Sequence, residues 1–152
     1  MSNLTKATDF NKLIPELKDW NNGNGIDVDD WIQCMANHKI LAGCARILWP
    51  EFVEHDGCIF LASHEPNYRE HLNQVQGNKK TAEATTNHIH VLHLFATEFP
   101  TRELVLYAGR LLKEIWQVKL QHDFPDRKIT VSFPEEDDLE LIEYELTFFQ
   151  EQ

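Results

Sequence analysis

Residues 128–148 keep a side-chain period of two, and this pattern most constrains what the chain can fold into. Ile129, Val131 and Phe133 alternate with Lys128, Thr130 and Ser132; after an acidic turn, Ile142, Tyr144, Leu146 and Phe148 alternate with Glu143, Glu145 and Thr147. Successive side chains of a strand point to opposite faces, so the pattern predicts a hairpin with one buried and one wet face. The expected pairing is 128–133 with 140–149, burying Ile129, Val131, Tyr144 and Leu146. A one-residue slip would expose that whole apolar set.

A second hairpin is written around Asp56-Gly57. A two-residue Asp-Gly loop suits a type I′ turn, in which both residues take positive φ. In that register Val53 opposes Phe60 and His55 opposes Cys58. Both faces are apolar in part, so this hairpin should be covered on both sides.

Elsewhere the apolar spacing is helical. Residues 10–20 carry Phe10, Leu13, Leu17 and Trp20 at spacings of three and four, with Pro15 as the feature that opposes a continuous helix. Asp27 is an expected N-cap, followed by Trp31, Ile32 and Met35, and a further helix runs from Ile40 to Leu48. Residues 66–76 read as a helix closed by Gly77. Residues 78–95 read as a longer one on Ala82, Thr85, Ile89 and Leu92. A last helix follows Pro100 to about Gln121, with Leu104, Ala108, Leu111, Ile115 and Val118 on its apolar side. The order predicts one α+β domain over residues 1–152, an antiparallel sheet of about four strands packed by about five or six helices. It lacks the alternating strand–helix units of a parallel nucleotide-binding sheet.

Charge bears on partners. The 152 residues carry a formal charge of −11, and residues 121–152 hold ten acidic side chains against Arg127 and Lys128. Such a field attracts cationic partners and repels nucleic acid. The cluster Glu135, Glu136, Asp137, Asp138, Glu140, Glu143 and Glu145 is therefore the expected partner-binding surface; a solvated loop and a charged edge strand give the same pattern. No apolar run is long enough to span a bilayer, and the N-terminus has no apolar signal core, so a cytoplasmic protein is expected. Cys34, Cys44 and Cys58 lack CxxC spacing, which argues against a disulfide framework or structural zinc.

Three patterns could carry chemistry. On a helix, His90 and His93 share a face and could hold a divalent metal with Glu83 or Glu98, while His88 would project away. The same residues fit the polar flanks of a core stripe on Ile89 and Leu92. His55 opposite Cys58 could make a thiolate nucleophile, but no local residues supply an oxyanion site or an orienting third group. Residues 19–27 resemble a calcium loop superficially, yet the EF-hand ligand positions fall on Trp20 and Trp31. The chain lacks GxxxxGK[ST], GxGxxG and GxSxG. These observations favour a binding module for a basic protein, of inhibitor or immunity type, with no cofactor expected. The alternatives are a small metal-dependent enzyme using His90 and His93, and a subunit of a larger assembly or homo-oligomer.

Overall fold

The computed structural model describes residues 8–95, 99–136 and 138–151. They form an α+β protein with seven helices and five strands, the strands lying in two antiparallel sheets. The chain divides into two compact units, Met1–Ile47 and Leu48–Gln152.

In the first unit, Asp9 caps α1 (Phe10–Leu13), its carboxylate accepting from the Asn11 N–H at 3.2 Å. The helix expected over 10–20 is broken. Pro15 cannot donate to the preceding turn and crowds it, so the chain tightens into a 3-10 turn, Pro15–Asp19, that buries Leu17. Next comes the single turn α2 (Trp20–Gly23), in which Asn21 and Asn22 are left-handed. Asparagine tolerates that region better than most residues. Asp27 caps α3 (Val28–Met35) as expected, accepting from the Asp30 N–H at 2.8 Å. The following helix, α4 (His38–Leu48), starts earlier than Ile40. The Asn37 side chain accepts from the N–H groups of Lys39 and Ile40 at 3.0 and 3.1 Å and so caps it. Neither α3 nor α4 contains a buried residue.

The second unit opens with the Asp-Gly hairpin in the expected register. β1 (Phe52–His55) pairs with β2 (Cys58–Leu61), with Val53 opposite Phe60 and His55 opposite Cys58. Asp56 and Gly57 take φ of 54° and 78°, as a type I′ turn demands. Both hairpin faces are covered. Cys58 and Phe60 cluster with Tyr68 and Ala82, while the Phe52 ring meets Trp116 and Phe148 edge-on. A 3-10 turn leads into α5 (Tyr68–Gln74), and Gly77, at φ 82°, donates to the Leu72 carbonyl.

The long helix expected over 78–95 is not formed. α6 (Lys79–Thr86), capped by Asn78, ends at Asn87, and Ile89–His90 becomes β3. The cause is tertiary. Asn87 is fully buried, and its side chain binds the edges of two strands. Ile89 then pairs with Leu146 and His90 with Glu145.

Thr101 caps α7 (Arg102–Asp123), accepting from the Leu104 N–H at 3.3 Å. Its existence is as expected, but its buried face is rotated. Val105, Leu106, Gly109, Leu112, Trp116 and Leu120 are inside, whereas Leu104, Ala108, Leu111 and Ile115 are half-buried and Val118 is 60 % exposed. Two apolar stripes share this helix, and the one carrying Trp116 buries the larger area. Gly109 fixes the choice, because the Phe133 ring lies where a Cβ would be.

β4 (Ile129–Ser132) pairs with β5 (Glu145–Gln150), Val131 facing Phe148, and the three-stranded order is β3-β5-β4. The phase of burial is as expected: Ile129, Val131, Phe133, Tyr144, Leu146 and Phe148 are buried. The return strand starts later than 140, because residues 141–143 form a 3-10 turn that leaves Ile142 exposed.

The two hairpins do not merge into one sheet. Glu83 on α6 and Asn87, the C-cap one turn later, stand between them. The Glu83 carboxylate accepts from the Ile59 N–H of β2 at 2.8 Å and the Gln150 N–H of β5 at 2.9 Å. The Asn87 amide donates to the carbonyls of Ile59 (2.9 Å) and Phe148 (3.3 Å), and its oxygen accepts from the Leu61 N–H at 3.0 Å. Side chains thus occupy the ladder positions that a direct β2–β5 pairing would fill. Every buried side-chain polar atom among the described residues has a partner.

Candidate interaction surface and histidine row

Residues 133–144 connect β4 to β5 and carry most of the acidic cluster. Backbone groups of Glu136, Leu139 and Glu140 are held from inside. The Arg102 guanidinium, on the first turn of α7, donates to the Leu139 carbonyl and to the Tyr144 hydroxyl (3.1 Å). That hydroxyl donates in turn to the Glu136 carbonyl at 2.9 Å. Glu140 and Glu143 cap one another reciprocally, the Glu143 carboxylate accepting from the Glu140 N–H at 2.8 Å.

The seven acidic residues do not act alike. Glu135 is held by Lys113 at 2.7 Å and Arg110 at 3.6 Å, both on α7. The Lys113 hydrogen bond, with the positive charge of Lys113 and Arg110, holds its carboxyl below the usual value despite partial desolvation. Glu145 lies on β5 beside β3, with Oε1 3.3 Å from His90 Nδ1. Glu136, Asp138, Glu140 and Glu143 are exposed, and none of the four makes an ion pair among the described residues. Asp137 lies outside the described residues, as does Glu98.

The histidines are brought together, but not on a helix. His90 ends β3, His93 ends a 3-10 turn (Val91–His93), and His88 precedes the strand. The rings form a row: His88 to His90 and His90 to His93 are each 5.4 Å between centres. Extended backbone places residues 88 and 90 on one side, so the expectation that His88 points away is corrected. Glu83 is committed to the two strands and to Gln150. Among the described residues no group of three or more His, Cys, Asp or Glu side chains could hold a metal ion.

The surroundings of Cys58 disfavour a thiolate beside His55. Burial pushes the Cys58 thiol up, outweighing its contact with the Tyr68 hydroxyl at 3.5 Å. Burial also raises Tyr68. His55 is paired with Glu65 and, at 3.4 Å, with Asp56. Cys58 is a core residue.

Sequence reasoning missed Lys113, Arg110 and Arg102, which organise the acidic connection from α7. Their signal was cations on the one long helix, without a hint of which loop they would meet. No helix among the described residues is long and apolar enough to cross a membrane. No family model, curated protein or solved structure matches the chain.

Proposed function

We propose that the protein is a binding module for a basic protein partner, of the inhibitor or immunity type, and that it docks through the exposed carboxylates of the β4–β5 connection. The observation that carries this reading is a loop held through its backbone by Arg102 and Tyr144 while Glu136, Asp138 and Glu143 stay exposed. A loop ordered before binding loses less entropy on association. Clustered charge of one sign speeds encounter with a cationic surface. Glu135 and Glu145 contribute less, since each already faces a basic side chain of this chain.

The test is charge reversal at Glu136, Asp138 and Glu143. Wild-type protein should retain a basic protein from native lysate, and the on-rate for that protein should fall as salt rises, because screening acts over about 8 Å at physiological ionic strength. The reversed variant should fold normally and bind much more slowly. Equal on-rates at low salt would remove the docking reading.

A second reading, a subunit of a larger assembly, is supported by exposed apolar side chains. Phe99 is 97 % exposed, and Leu41 and Met35 lie on helices with no buried residue.

A further inference from the structure

We infer that His88 and His90 form a two-imidazole surface site for a borderline divalent transition-metal ion, of the class of zinc(II) and copper(II).

The argument starts from the ring nitrogens. His88 Nδ1 lies 2.5 Å from the Thr85 carbonyl oxygen, and His90 Nδ1 lies 2.9 Å from the Ile142 carbonyl oxygen. A carbonyl oxygen accepts and cannot donate, so each Nδ1 carries the proton. In the neutral ring that leaves the Nε2 lone pair as the ligand on both. The Glu145 carboxylate, 3.3 Å from His90 Nδ1, adds the carboxylate–imidazole contact that orients a metal-binding ring.

The spacing fits. Nitrogen–metal bonds of about 2.0–2.1 Å at a tetrahedral angle place two ring centres roughly 5 Å apart. The His88 and His90 rings are 5.4 Å apart and nearly perpendicular. Two residues apart on extended backbone, they share a side of the strand without a helical turn between them. Each ring is anchored from a different element: His88 from the end of α6, His90 from the turn before β5. His93 stands 5.4 Å beyond His90, but no hydrogen bond among the described residues fixes its ring. The site therefore has two protein ligands, with water completing the shell. Imidazole selects zinc and copper over magnesium and calcium, which prefer oxygen.

The experiment uses the full chain purified without a histidine tag. Long-range proton–nitrogen NMR of the metal-free protein should show the Nδ1–H tautomer at His88 and His90; Nε2–H at both would overturn the proposal. Zinc(II) and copper(II), titrated separately by calorimetry, should each bind at one equivalent and move the ring signals of those two histidines, and magnesium should do neither. His88→Gln and His90→Gln, shown folded by circular dichroism, should each weaken binding by at least the loss in Glu145→Gln, itself about tenfold. His122→Gln should bind as wild type. Undiminished affinity in His88→Gln, ring shifts confined to other histidines, or no binding of either ion would each overturn the proposal. None of these readouts depends on the acidic docking surface having a partner.

Discussion

Replacing Asn87 by alanine should be among the most damaging single changes in the second unit. The side chain is 0 % exposed and serves three backbone groups: the Leu61 N–H, the Ile59 carbonyl and the Phe148 carbonyl. Alanine leaves all three without their partner between two strands that do not pair with each other. An unsatisfied buried group costs about 1–3 kcal/mol. The Phe148 contact is long at 3.3 Å and contributes least. Water entering the vacated space recovers part of the loss, so the expected total is about 3–5 kcal/mol. Domains of this kind have about 5–15 kcal/mol in all.

Urea unfolding reads this directly. At a slope of about 2 kcal/mol per molar, the midpoint should fall by roughly 2 M with the slope unchanged. The Leu61 amide should lose most of its hydrogen-exchange protection. Asn87→Asp should do no better, since it removes the donor and sets a second carboxylate one turn from Glu83. Asn73→Ala, at an exposed position, is the control and should stay within about 0.5 kcal/mol. A loss below about 1 kcal/mol in Asn87→Ala, with normal protection at Leu61, would refute the reasoning that these side chains act as part of the sheet.

Gly109→Ala should destabilise by about 1–3 kcal/mol despite alanine's better helix propensity, because the new Cβ would overlap the Phe133 ring; Gly109→Ala combined with Phe133→Leu should recover part of the loss in the same urea assay. The Glu135 carboxyl is held below its ordinary value of 4.5 in the folded state, so its contribution is present above that value and is lost as pH falls through the lowered one. The midpoint difference between wild type and Glu135→Gln should therefore be visible at neutral pH and shrink as pH falls below the ordinary value, and a difference that grows on acidification would contradict the Lys113 pairing.

The parts of the fold legible in the sequence were those decided by near neighbours. Asp56-Gly57 forces its own turn, so the register of β1 on β2 follows from two residues. The alternation of Ile129 to Phe133 and Tyr144 to Phe148 fixes which side chains are buried without saying where pairing begins. α7 was legible as a helix but not as an oriented one. Its stripe on Leu104, Ala108, Leu111, Ile115 and Val118 is as regular as the stripe it buries. The choice is made by the Phe133 ring against Gly109, a contact across 24 positions.

The site was less legible for the same reason. Treating residues 87–93 as helical put His88 opposite His90, and one change of backbone, from α to extended, reverses that. The change originates in Asn87, whose partners Ile59 and Phe148 lie 28 and 61 positions away. A second carboxamide plays a similar part on the other sheet edge. Gln117 of α7 donates to the Ile129 carbonyl at 2.9 Å and accepts from the Val131 N–H at 3.1 Å, a carbonyl and an N–H two residues apart on β4. Asn87 grips Ile59 and Leu61 of β2 in the same sense. An amide side chain carries one donor group and one acceptor, as a peptide unit does, so it can occupy a ladder position and close an edge to further strands. In sequence such residues look like ordinary polar positions on amphipathic helices. What distinguishes them is that each falls on the buried side of its helix, and for α7 that side becomes known only once the Phe133–Gly109 contact is known.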